Sequence, residues 1–222
     1  LDPQQQKCLT LDVERGVTSG IQALPWQTDT CIGAWHYQRS LFDQHKYKTA
    51  GSVAQMLVDI ISKNGCLQLN IPLPGNGLPD ADELKFLSEF TAWMDINSDG
   101  IYATRPWKIY GEGPSTVAAP RGQFGGVRDV RAYTAKDFRF VQKAGNLYAF
   151  AMAWPDDGKL TITSLAEGSA NVPGKIEQVQ LLGMTEPVKF TRDATGLNLA
   201  MPTTKIGNYA YCFKISGAGL IA

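Results

Sequence analysis

The chain predicts an α/β section followed by an antiparallel β-sandwich, with the change of grammar near residue 107. Three observations carry this. From about residue 52 to 94, helix and strand signals alternate with short connections, as in an α/β barrel or a doubly wound sheet. Beyond Arg105-Pro106-Trp107 come short segments of period-two hydrophobicity, parted by turns such as Asp156-Asp157-Gly158 and Thr195-Gly196. Between the two halves, Gly111 to Gly126 is rich in Gly, Pro and Ser and reads as a linker or long loop.

Element by element, residues 8–13 read as a short buried strand. Pro25 and Gly33 bracket a run of aromatics and polar groups that strand periodicity does not explain, so this run reads as a loop. Ser52 is a candidate N-cap for a helix over 53–63, with Val53, Leu57, Ile60 and Ile61 on one face and Asn64-Gly65 closing it. Residues 66–71 follow at once as a strand, and a Pro/Gly-rich loop spans 72–79. Asp80 caps the next helix, with Asp82 and Glu83 well placed in its first turn and Leu84, Leu87, Phe90, Trp93 and Met94 as its apolar set. In the second half, 146–154, 159–165, 176–182, 197–201 and 209–215 read as strands.

Composition bounds the function. The 222 residues are 44% hydrophobic and 19% charged, the balance of a globular protein. Twenty-one basic and 21 acidic residues leave no electrostatic footprint for nucleic acid or an anionic membrane, and no apolar run approaches the roughly 20 residues of a membrane span. The chain opens Leu-Asp-Pro-Gln without Met or a signal pattern and reads as the interior of a longer polypeptide. Cys8, Cys31, Cys66 and Cys212 lack metal-ligand spacing; Cys66 and Cys212 fall in apolar strand patterns and are expected as buried thiols, with any disulfide pairing left open.

The bracketed run, residues 25–37, holds Trp26, Trp35, Tyr37, His36, Gln27 and Asp29. Aromatic rings with polar tips suit sugars, which present C–H faces and hydroxyl rims, though a structured loop over a core explains the same residues. One motif is a decoy. Asp95-Ile96-Asn97-Ser98-Asp99-Gly100 copies the start of a calcium-binding EF-hand loop, but its twelfth position, where a bidentate Glu is needed, is Pro106. Neither a metal nor a cofactor is expected.

Three segments together resemble α-L-fucosidases of glycoside hydrolase family 29. Pro25-Trp26-Gln27-Thr28-Asp29-Thr30-Cys31-Ile32 with Trp35-His36-Tyr37 resembles the family's Trp-Glu-x-x-x-(Ser/Cys)-Ile segment and its aromatic-x-Tyr turn. Leu57-Val58-Asp59-Ile60-Ile61-Ser62-Lys63-Asn64-Gly65-Cys66-Leu67-Gln68-Leu69-Asn70-Ile71 resembles its Leu-Val-Asp-x-Val-Ser-x-Asn-Gly-x-Leu-Leu-Leu-Asn-Ile block. Gly100-Ile101-Tyr102-Ala103-Thr104-Arg105-Pro106-Trp107 resembles the sequence that closes its catalytic domain. The resemblance implies that residues 1–107 are the C-terminal section of a (β/α)8-like barrel and that 108–222 are the β-sandwich domain. It implies a retaining exo-glycosidase acting on fucosylated glycans, in a secreted, periplasmic or lysosomal setting. The family's nucleophile Asp would precede Leu1, on the N-terminal part of the same barrel, which is the partner this section needs.

Retention requires two carboxyl groups about 5–5.5 Å apart. The family's acid/base Glu falls at Gln27, which cannot donate and retrieve a proton as a carboxylic acid does. Glu14, at the end of the strand over 8–13 where barrel site residues project, is the first substitute, and Asp29 the second. Arg15 matches the family's fucose-binding arginine, and Trp26, Trp35 and Tyr37 are expected to flank the sugar; Arg15, Trp26, Gln27 and Tyr37 should share one concavity. A surface salt bridge for Glu14, local backbone bonds for Asp29 and a core place for the aromatics are the plain alternatives. The rival function is a non-catalytic carbohydrate-binding protein that kept the fold and lost the acid at Gln27. Trp154, Tyr209 and Tyr211 are expected to fill a sandwich core rather than to form a sugar platform.

Overall fold

The structure is a computed structural model that describes residues 2–116 and 132–221. Most of the expected linker, from residue 117 on, therefore lies outside the described residues.

The N-terminal section is built on a three-stranded parallel sheet, β1 (Leu11–Asp12), β2 (Trp26–Cys31) and β3 (Gly65–Asn70), in the order β1-β2-β3. The strand expected over 8–13 shrinks to β1. Ahead of it Pro3–Lys7 forms α1, because Asp2 caps Gln4 and Gln5 and Gln5 caps back, with Pro early in the helix. Leu9 and Leu11 are exposed rather than buried.

The run expected as a loop is mostly the central strand β2. Its burial alternates, with Trp26, Thr28 and Thr30 buried on one face and Gln27 and Asp29 half-buried on the other. Thr residues favour the pleat, and Trp26 fills the covered face. Gly65 lies opposite Trp26 in register, and a Cβ there would meet the indole at 2.5 Å, so the two strands approach only because that position is glycine.

A short α2 (Arg39–Asp43) leads to α3 (Ala50–Ser62), which crosses from β2 to β3. The helix starts earlier than expected. Thr49, not Ser52, is the N-cap, and its hydroxyl accepts from the Ser52 N–H at 3.1 Å. Asn64 sits at φ 72°, the left-handed turn that releases the chain into β3. Asp80 caps α4 (Ala81–Asn97) through a capping box with Glu83, as the sequence predicts. Of its expected apolar face Leu87, Phe90, Trp93 and Met94 pack inward, while Leu84 is exposed and Phe86 is buried in addition.

Among the described residues the second section has eight strands. β4 (Arg105–Glu112), β5 (Phe138–Lys143), β6 (Asn146–Ala151), β11 (Tyr211–Gly217) and β8 (Ile176–Leu181) form a five-stranded antiparallel sheet in the order β4-β5-β6-β11-β8. β7 (Lys159–Ile162), β10 (Gly196–Ala200) and β9 (Phe190–Asp193) form a three-stranded one in the order β7-β10-β9. Phe138, Phe140, Leu147, Phe213 and Ile215 of the larger sheet share a core with Leu160, Ile162, Leu197 and Leu199 of the smaller. Tyr211 is buried there, with Trp154 edge-on to it at 4.8 Å, while Tyr209 donates to Glu89.

The opposite face of the larger sheet is also covered. Val141, Tyr148, Phe150 and Cys212 pack against Ala54 and Val58 of α3 and Trp93 of α4. This is why Leu147 to Met152 is an unbroken apolar run and not an alternating one: β6 is buried on both faces.

All four cysteines are free; Cys212 is buried as expected, but Cys66 is exposed on the open face of β3. Asp99 of the EF-hand-like segment is engaged by Lys143, Lys214 and the Tyr148 hydroxyl.

Candidate active site

Side chains at alternate positions of β2 point to opposite faces, so Gln27, Asp29 and Cys31 share the face turned away from α3. The parallel register sets Cys66, Gln68 and Asn70 of β3 beside them and Asp12 of β1 beside Gln27. Trp26 is on the other face. It is 1% exposed, packs with Val13, Val17 and Ile60, and donates its indole N–H to the Lys63 carbonyl at 2.9 Å. It supports the sheet and does not flank a sugar.

Just past β1 the backbone is drawn onto β2: the Val13 N–H donates to the Gln27 carbonyl and the Arg15 N–H to the Asp29 carbonyl. Arg15 adopts φ 50°, a left-handed conformation costly for a non-glycine residue. This turn sends Glu14 and Arg15 toward the C-terminal end of β2. There Trp35 lies across both. Its indole N–H donates to Glu14 Oε1 at 3.3 Å, and the Arg15 guanidinium stands 5.0 Å from its ring centre. Asn70 at the end of β3 holds the Trp35 carbonyl at 3.2 Å.

Asp29 completes the group. Its Oδ1 is shielded from solvent and has no hydrogen-bond partner among the described residues. Burial first, and then the negative charge of Asp12, push its carboxyl above the usual range; a backbone hydrogen bond from its own N–H opposes this, Glu14 adds to it, and Arg15 opposes it. Lys48 lies behind the strand end, donating to the Thr30 hydroxyl and the Cys31 carbonyl, and burial lowers its pKa.

The sequence-predicted residues are thus only partly brought together. Glu14, Arg15, Asp29 and Trp35 meet at the C-terminal ends of β1 and β2, with Gln27 further down the same face. Tyr37 does not join them. It stands beside Asp80 at the start of α4, where burial and the Asp80 carboxylate push its phenol up. The expectation of one concavity holding Arg15, Trp26, Gln27 and Tyr37 therefore fails on Trp26 and Tyr37. Asn70, Cys31 and Lys48 were missed as members of the site. Asn70 and Cys31 stand in the motif blocks, and reading 26–31 as a strand would have placed Cys31 on the face of Asp29. Among the described residues, no group of three or more His, Cys, Asp or Glu could hold a metal ion, and no helix is long and apolar enough to cross a membrane.

Carboxyl groups beside a guanidinium and an indole, at the C-terminal ends of parallel strands, form the kind of site at which barrel glycosidases work. The family model described as Alpha-L-fucosidase matches residues 3–99, and the one described as Alpha-L-fucosidase C-terminal domain matches residues 130–216. Each section of the chain thus matches a model of the α-L-fucosidase family. Among its relatives, tissue α-L-fucosidase of Rattus norvegicus is 25% identical over 187 residues, covering 83% of this chain and 35% of the relative. α-L-Fucosidase of Branchiostoma floridae is 27% identical over 192 residues, 82% of this chain and 35% of its own. The chain thus spans about a third of the length of these relatives. Among solved structures, Thermotoga maritima α-fucosidase in complex with fucose aligns with a TM-score of 0.65 at 20% identity, over 87% of this chain and 40% of that one. Isoenzyme 1 from Paenibacillus thiaminolyticus aligns at 0.66 and 21%, over 93% and 44%. At such identities the likeness is one of fold.

Proposed function

We propose that this chain is the C-terminal part of a retaining α-L-fucosidase that releases terminal fucosyl residues from glycans, with residues 1–107 a section of its (β/α)8-like barrel and 108–222 its β-sandwich. The observation that carries this reading is the meeting of Glu14, Arg15, Asp29 and Trp35 at one strand end in a chain that matches this family. The nucleophile comes from the N-terminal part of the barrel. What supports that partner is the edge of β1, unpaired among the described residues, flanked by exposed Leu9, Leu11, Ile21 and Leu24 and by a cavity of about 600 Å³ lined by Leu9, Leu11, Leu24 and Trp26. Apolar side chains gathered at an open sheet edge are the surface that a neighbouring strand and helix would cover.

The order of the acid/base candidates reverses. A general acid must hold its proton near the working pH. Burial and neighbouring carboxylates raise Asp29, and its Oδ1 has no hydrogen-bond partner among the described residues. Glu14 instead has its Oε1 engaged by the Trp35 N–H at 3.3 Å. Asp29 is therefore the acid/base, and Glu14 is a fixed carboxylate that holds Trp35 and can accept from a sugar hydroxyl. Two carboxyl groups in the site favour the enzyme over the binding module that Gln27 alone would suit.

The test is kinetic, on the full-length enzyme. Asp29→Ala should slow natural fucosides by roughly 10²–10⁴-fold, spare the first step for activated aryl fucosides, and regain turnover with azide. The same pattern in Glu14→Ala, with Asp29→Ala near wild type, would return the role to Glu14. Inversion at the anomeric carbon, followed by NMR, would defeat the retaining mechanism.

A further inference from the structure

The Cys31 thiol has so far no role, yet its surroundings are not those of a packing residue. A buried cysteine ordinarily behaves as a small hydrophobe among apolar neighbours. Here the fully buried sulfur accepts from Arg15 Nη2 at 3.1 Å and stands 3.2 Å from the Gly33 carbonyl, to which its S–H donates. It lies on the Asp29 face of β2, beneath the guanidinium, while Trp35 covers a face of that guanidinium.

Arg15 itself is exposed and sits on a left-handed turn. A long side chain in such a place surrenders rotamer freedom when it is held, and an unheld guanidinium would meet the sugar only at that cost. We propose that Cys31 is the positioning residue for Arg15: its thiol, without touching the sugar, fixes the planar fork in the orientation that hydrogen-bonds the fucosyl ring. This rests on the reading of Arg15 as a fucose ligand. The sulfur is not a nucleophile, because it is enclosed and occupied by the guanidinium and the Gly33 carbonyl. The strand end does not depend on the thiol. Lys48 binds the Cys31 carbonyl, and the Ile32 N–H donates to Asn70, so removing the sulfur leaves the backbone anchored.

The experiment uses the full-length enzyme with Cys31→Ala, Cys31→Ser, Arg15→Ala and the double variant Arg15→Ala/Cys31→Ala. Calorimetry gives the Kd for L-fucose, an aryl α-L-fucoside gives kcat and KM, and thermal melting reports stability. Cys31→Ala should weaken L-fucose binding and raise KM roughly five- to twentyfold with kcat and Tm little changed, the signature of lost ground-state binding. Cys31→Ser, which keeps a donor and an acceptor, should recover most of the loss. In the Arg15→Ala background the Cys31→Ala change should add nothing. Additive losses in that background, or wild-type affinity in Cys31→Ala, overturn the inference and leave the fucosidase reading intact. A wild-type enzyme that neither binds L-fucose nor cleaves the fucoside defeats both.

Discussion

The two sections of this chain bury their sheets differently. The five-stranded antiparallel sheet is covered on both faces, by the smaller sheet on one side and by α3 and α4 on the other. Among the described residues the parallel sheet is covered on one face, by α3 and α4, and its other face carries Asp12, Gln27, Asp29, Cys66 and Gln68. Open polar surface is where a site can be built, and a closed core is what holds it still. The second section therefore acts as a foundation. Its sheet fixes α3, and α3 fixes the strands that aim Asp29 and Arg15.

The joint between the sections is charged and dry. Asp59 of α3 accepts from Lys63 at 2.6 Å and from Arg139 of β5 at 2.5 Å, all three nearly solvent-free, with Tyr110 and Tyr133 against the guanidinium. The attraction of two cations for one carboxylate does not by itself repay the dehydration of three charges, but removing the carboxylate strands both cations in a low-dielectric site. Asp59→Ala is therefore expected to cost about 3–5 kcal/mol, measured by urea denaturation. Separate transitions for the two sections in wild type would break the idea of a foundation; loss of one shared transition in the variant would sharpen it.

Next in size is a matched pair of leucines. Leu197 is fully buried between the sheets, and its truncation to Ala should cost about 2–5 kcal/mol through lost transfer energy and a residual cavity. Leu11, 55% exposed, should cost less than about 0.5 kcal/mol in this 222-residue chain. If barrel elements cover this edge in a longer polypeptide, as proposed, the same Leu11→Ala change should cost well over about 1 kcal/mol there. Equal small losses in both contexts would remove the case for a covering segment at this edge.

How far the sequence told this story follows from the same contrast. The helix at 81–97 was legible because Asp80 and Glu83 carry a local capping signal. The strands around Leu160, Val179 and Leu197 were legible because one face meets water and the other a core. β2 was misread, since its Thr residues are buried by strand pairing and its polar face awaits a site; no local pattern says so. β4 and β5 were missed beside the Gly-rich stretch. Phe138 to Val141 is buried on both faces and includes Arg139, whose partner is 80 residues away. Of the site, Arg15 came from the family resemblance, Glu14 from its place at a strand end and Asp29 from its nearness to Gln27, whereas the Trp35 bridge needed coordinates, because it joins residues from two separate turns.

The smallest effect expected is a pH dependence at the second clasp of the joint. Asp99, just after α4, binds Lys143 at 2.6 Å, the Tyr148 hydroxyl at 2.8 Å and Lys214 at 3.3 Å, all on strands of the larger sheet. The Lys143 bond above all, with Tyr148 and Lys214 and against partial burial, holds its carboxyl down to about 2, below the 3.8 of a free aspartate. A depressed folded-state pKa stabilises the fold above the unfolded value, and this stability is lost as pH falls from about 4 through 2. Because the carboxylate is 45% exposed, solvent screening limits the contribution to less than about 1 kcal/mol. Many carboxylates titrate in that window, so the informative quantity is a difference. Denaturation of wild type and Asp99→Asn across pH 2–6 should show a gap that is constant above pH 4 and closes toward pH 2. A gap that persists at pH 2 would mean that the amide loses packing or hydrogen bonds rather than charge, and that the clasp is not electrostatic.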